Sequence, residues 1–215
     1  GGDGKALSLP LLSAGPADTF SGTVQSGGSI TAQTDGSGVS TQNGWAALST
    51  DSTVGGSVIL TSQVGAQPPS EVGLPLNSAS SKTLWMPFDE TNTGLQYTTI
   101  LALTNAGTAD SVAVLSFVDD GGQAIPITGT IDVPANGHYS GDLGAMFPPL
   151  AGKRGVVQIS STNGLAGVGY RFNGTAYTAL PALSNVAQSS KTIPHLVNGS
   201  GWKSAIWLVN AGKQP

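Results

Sequence analysis

The sequence predicts an all-β chain of two Ig-like antiparallel β-sandwiches, the first incomplete and completed by a C-terminal β-hairpin. Three observations lead there. The 215 residues include 31 Gly and 13 Pro among abundant Ser and Thr, and only 9% are charged, a composition of short strands and tight turns. Stretches such as AGVGYRF (166–172) can split their residues between two faces, and turn signals recur at DDGG (119–122), PANG (134–137), STNG (161–164) and FNG (172–174). The chain also repeats itself. GWAALST (44–50) returns as GVVQISS (155–161), and KTLWMPFDETNTGLQYTTILALTNAG (82–107) returns, shortened, as KTIPHLVNGSGWKSAIWLVNAG (191–212). A period of about 110 residues is one Ig-sized sandwich rather than a solenoid repeat.

Taken in order, residues 1–76 read as an incomplete sandwich. Within them, 4–76 align with 122–182 and supply only later strands, at 44–50, 54–59 and 73–76. Residues 77–183 read as a complete sandwich, with strands near 82–88, 96–104, 111–118, 124–133, 137–142, 154–160, 165–173 and 176–181. SVAVLSFV (111–118) is apolar on both faces, which predicts burial on both sides. A single helical turn is expected near LGAMF (143–147), before Pro148 and Pro149. Residues 184–190 form a small polar linker, and 191–215 the complementing hairpin.

That hairpin cannot bury its apolar face alone. With Asn105 set against Asn210, the expected core face Tyr97, Thr99, Leu101, Leu103 matches Trp202, Ser204, Ile206, Leu208. The other face changes from Thr98, Ile100, Ala102, Thr104 to Lys203, Ala205, Trp207, Val209. The later strand is therefore apolar on both sides, and burying a Trp is worth a few kcal/mol (about 200 Å² at about 25 cal/mol/Å²). An unpaired strand of this kind invites a partner. The expected subunit-contact residues are Trp202, Ala205, Ile206, Trp207, Leu208 and Val209. The plain alternative puts Trp207 in a groove of its own chain. Pooled, the two partial segments still lack a counterpart of SVAVLSFV.

Little else in the sequence carries chemistry. The net charge of −4 argues against nucleic acid, and no apolar run approaches the roughly 18 residues of a membrane span. Cysteine is absent, and no nucleophile elbow, phosphate loop or zinc motif occurs. The expectation is a non-enzyme without cofactor or metal. His138 and His195 read as unrelated loop histidines. Asp89-Glu90 and Asp119-Asp120-Gly121-Gly122 lack the spaced ligands of a calcium loop and read as solvated turn acids. Trp45, Trp85, Trp202 and Trp207 could form a sugar-stacking platform, although Trp85 and Trp202 fall at positions expected in the core. Asn173-Gly174-Thr175 and Asn198-Gly199-Ser200 match the N-glycosylation sequon.

PHLVNGSGWKSAIWLVNAG, FVDDGGQAIPI, PANGH and LAGKRGVVQISSTNGLAGVGYRFNGTAYTALPAL resemble the repeat unit of long secreted bacterial proteins built from tandem Ig-like β-sandwich modules. The resemblance covers nearly the whole chain, and residues 150–183 and 194–212 are its most specific parts. It implies an extracellular or cell-surface structural role and brings no catalytic residues with it. The departure is one of phase, since such proteins run in whole modules and this sequence is offset within one. Beginning Gly1-Gly2-Asp3 without Met, the sequence reads as a processed or partial product. The function expected is a structural subunit of an extracellular bacterial filament, polymerising head to tail with copies of itself by strand complementation. Completion by fold-back within one chain is the intramolecular version. A carbohydrate-binding or adhesin module of a longer cell-surface repeat protein, with glycans as ligands, is the alternative.

Overall fold

A computed structural model describes residues 1–12, 15–37, 40–63, 65–76, 80–91, 97–174, 176–184, 196–201 and 204–210. Its strands pair antiparallel throughout. They are β1 (Leu9–Leu11), β2 (Gly15–Ala17), β3 (Ser57–Ser62), β4 (Ser70–Pro75), β5 (Ser81–Asp89), β6 (Tyr97–Thr104), β7 (Ser111–Asp119), β8 (Ala124–Val133), β9 (His138–Asp142), β10 (Arg154–Asn173) and β11 (Ala176–Pro181). The expected helical turn is α1 (Leu143–Met146), whose first turn is capped by the Asp142 carboxylate accepting from the Ala145 N–H.

β10 organises β5 to β11. The sequence pattern divides this region into two strands, 154–160 and 165–173; one strand of 20 residues runs through both. Its first half lies between β5 and β7, with β8 beyond β7. Its second half lies between β6 and β11, with β9 beyond β6. The pairing with β5 shifts register between Ser160 and Leu165, and there β10 passes from one layer into the other.

The two layers enclose one core. β5 contributes Leu84, Met86 and Phe88, β7 contributes Ala113, Leu115 and Phe117, and β6 contributes Leu101 and Leu103. The Phe117 ring meets Phe88 and Phe147 edge to face, with centroids 5.6 and 5.0 Å apart. On β10 the core-facing side includes Gly169, because a Cβ there would strike the Met86 thioether. β7 is buried on one face only. Ala113, Leu115 and Phe117 are inside, whereas Val112 and Val114 are 39% and 45% exposed. The expectation of two buried faces fails because no described element covers the outer side of β7. Trp85 is half-buried rather than core: Leu84 and Met86 on either side of it are buried, and alternation puts Trp85 on the opposite face.

Residues 1–76 are built differently. β1 pairs with β2, and β3 with β4. Residues 44–50 form no strand, and no described strand pairs with them. Val72 is the one buried hydrophobic residue described in this segment, and Phe20, Ile30, Leu48 and Ile59 are exposed. β4 runs beside β11. The Tyr177 hydroxyl donates to the Leu60 carbonyl at 2.9 Å, and the Trp45 indole donates to the Asn136 carbonyl at 3.0 Å.

Candidate assembly surface

When the sequence match of Pro75 with Pro181 is applied, the β3–β4 strands pair in the register of β10 and β11, although the connecting loop is longer. Val168 to Asn173 face Pro181 to Ala176 one by one, and Ser57 to Ser62 face Pro75 to Ser70 in the same register. Leu60 therefore occupies the place of Arg171, and Gly55 the place of Ala166. The second edge of this part of β10 is covered by β6, with Arg171 opposite Thr99 and Ala166 opposite Thr104. No described strand pairs with the second edge of β3. Around it Val58, Ile59, Leu60 and Leu76 are 43%, 65%, 36% and 44% exposed.

The later repeat also has a local counterpart in the complete module. In the module, the Thr99 hydroxyl accepts from the Asp89 N–H at 2.9 Å and donates to the Asp89 carbonyl at 3.2 Å. In the later segment, the Ser204 hydroxyl accepts from the Val197 N–H at 2.8 Å and donates to the Val197 carbonyl at 2.7 Å. One hydroxyl clasps both backbone groups of one residue in each case. Ser204 thus corresponds to Thr99, in line with the sequence alignment, and Val197 takes the place of Asp89.

Residues 204–210 form no strand here. Among the described residues, 204–210 pair with no strand of residues 1–76. Trp207 instead packs against the core cluster of the β5–β11 module. Its ring lies 5.7 Å from the Arg171 guanidinium and 5.9 Å from that of Arg154. Trp207 and Val209 are half-buried, Ala205 is exposed, and Ile206 and Leu208 are 54% and 85% exposed. Trp202 and His195 lie outside the described residues.

Beside Trp207 the module carries a cluster of buried charges that sequence reasoning missed. Asp89 and Glu90, expected as solvated turn acids, are 1% and 6% exposed. Arg171 Nε lies 2.8 Å from Asp89 Oδ2, and since the N–H is not aligned on that oxygen the contact is an ion pair without a hydrogen bond. The guanidinium stacks on the Tyr97 ring with its carbon 3.6 Å from the centroid. The Glu90 carboxylate accepts from the Thr99 N–H at 2.8 Å. Burial pushes its pKa up to about 7; the Thr99 and Thr98 hydrogen bonds oppose this, and the negative charges of Asp142 and Asp89 add to it. Thr99 and Arg171, which hold these acids, stand on β6 and β10, so the sequence around Asp89 and Glu90 held no signal of their burial.

The remaining candidates are plainer. Asp119 Oδ1 accepts from the N–H groups of Gly121 and Gln123, each at 2.9 Å, and so shapes the β7–β8 turn. Asp120 makes an exposed ion pair with Arg154. His138 is half-buried in β9, and burial followed by the N-terminal charge lowers its pKa. Among the described residues no three His, Cys, Asp or Glu come together as a metal site, and no helix is long and apolar enough to cross a membrane. Asn173 is half-buried at the end of β10, and Asn198 is exposed. No family model matches the chain, and neither a curated protein nor a solved structure matches it.

Proposed function

We propose that this protein is a non-catalytic structural subunit of an extracellular bacterial filament, joined head to tail by strand complementation. One copy contributes the apolar segment around Trp207, and the next contributes the incomplete sheet of residues 1–76. The observation that carries the reading is the open edge of β3. With Pro75 set against Pro181, its six strand pairs fall in the register of the β10–β11 hairpin, yet no described strand stands where β6 does there. Strand addition would satisfy the backbone groups of that edge and cover the exposed Val58, Ile59 and Leu60. A joint of this kind is heterologous, so when it does not close into a ring it propagates as a fibre. The Ser, Thr and Gly wealth, low charge and lack of cysteine support placement outside the cell.

The test compares the full chain with one lacking residues 191–215, by light scattering and negative-stain imaging. Concentration-dependent linear polymers of the full chain, lost on truncation while the β5–β11 module stays folded by circular dichroism, support the reading. Polymers that survive the truncation, or a full chain that stays monomeric at high concentration, overturn it.

A further inference from the structure

We propose that residues 204–209 of one copy add to the second edge of β3 in another copy, antiparallel, from Ser204 opposite Leu60 to Val209 opposite Gly55. This rests on the head-to-tail reading above and supplies what that reading leaves open, the acceptor edge and the register. Two independent equivalences set the register. The hairpin pairing, with Pro75 matched to Pro181, puts Leu60 in the place of Arg171, and the hydroxyl clasp puts Ser204 in the place of Thr99. Arg171 and Thr99 face each other between β10 and β6.

The chemistry at the shared position changes on both sides together. In the module, Arg171 pairs with buried Asp89. In the proposed joint, their counterparts are Leu60 and Val197, an apolar pair. Exchanging only one partner would strand a buried charge against a hydrocarbon. The register also matches the isolated charges. Continued by one residue, it sets Lys203 opposite Thr61, whose hydroxyl donates to Glu71 at 3.0 Å across the hairpin. Lys203 is the single charged residue of 196–210, and Glu71 the single one on β3 and β4, so opposite charges fall on one face of the joined sheet.

The two apolar faces of the segment then have separate uses. Trp207 packs against the core of the segment's own module, its ring near Arg171, and Val209 on the same side of the segment is half-buried. Ile206 and Leu208, the counterparts of fully buried Leu101 and Leu103, are left 54% and 85% exposed. Because one face is held at home, the other is presented outward, and the occupant of β3 is therefore a second copy.

The chain has no cysteine, which permits a clean cross-link test in the whole 215-residue chain. Ile59→Cys and Ala205→Cys are introduced in separate chains; both positions are exposed, so folding is not at stake. In the proposed register these residues face each other with Cβ atoms about 5 Å apart, a small adjustment from the roughly 4 Å that a disulfide needs. Ser57→Cys is the control. It lies on the same face two residues away, where diagonal neighbours stand about 7–8 Å apart. On oxidation, the Ile59→Cys and Ala205→Cys mixture is expected to give at least ten times more mixed dimer than Ser57→Cys with Ala205→Cys. Polymers without this preference overturn the register while leaving the filament reading intact. A chain carrying both Ile59→Cys and Ala205→Cys that cross-links only to itself, at every dilution, overturns the choice of a second copy. Absence of both polymers and mixed dimer overturns both readings.

Discussion

Replacing Glu90 by Gln should stabilise the β5–β11 module at pH 8 and leave it little changed near pH 4.5. An unfolded glutamate titrates near 4.5, whereas burial against Thr99 and beside Asp142 and Asp89 raises Glu90 to about 7. Between those values the folded state retains a proton that the unfolded state has lost. Stability therefore falls as pH rises through this window, and the full cost is present above pH 7. The shift from 4.5 to about 7 corresponds to at most about 3 kcal/mol, and screening at the edge of the cluster reduces that to about 1–2 kcal/mol. Glutamine keeps an oxygen for the Thr99 N–H and carries no charge. Thermal unfolding of both proteins at pH 4.5 to 8, followed by calorimetry, should show the variant melting roughly 5–10 °C higher at pH 8. His138 has a lowered folded pKa and so contributes the opposite slope; taking the difference between the proteins cancels it. A difference that is flat across this pH range would refute the account of Glu90.

Two further substitutions test the same module. Arg171→Met leaves Asp89 buried without its ion-pair partner and should cost about 3–5 kcal/mol in urea unfolding, most of it recovered by adding Asp89→Asn. Gly155→Ala drives a Cβ into the Val118 carbonyl of the paired strand and should cost about 1–3 kcal/mol. Gly73→Ala on β4 meets nothing within 4 Å and should stay within about 0.5 kcal/mol of the parent.

How much of the molecule was legible beforehand depended on the range of the interaction. Alternation and turn chemistry are local, and they located β5 to β9, β11 and the turn at α1 to within a few residues. Repeat matching reaches further, because it compares the chain with itself; it identified Ser204 with Thr99 and the 73–76 strand with the end of β11. It failed at 44–50, where the repeat is present but no described strand pairs with it. A strand is a property of a pair, and one matching sequence does not supply the other.

The charged cluster marks the opposite limit. Asp89 and Glu90 sit in a polar stretch that reads as a turn; Arg171 and Thr99, which hold them, come from β10 and β6. The likeness of the β3–β4 and β10–β11 registers is likewise a fact of backbone pairing that composition cannot express. By itself the sequence determined an all-β antiparallel chain that repeats once at the scale of a whole sandwich, because periodicity and turn residues act over a few positions and identity over a repeat is visible directly. Only the tertiary structure decided which faces are covered, which carboxylates lose their water and which edge of β3 is without a described partner strand. Burial and pairing depend on what stands opposite, and that is set by segments far away in the chain.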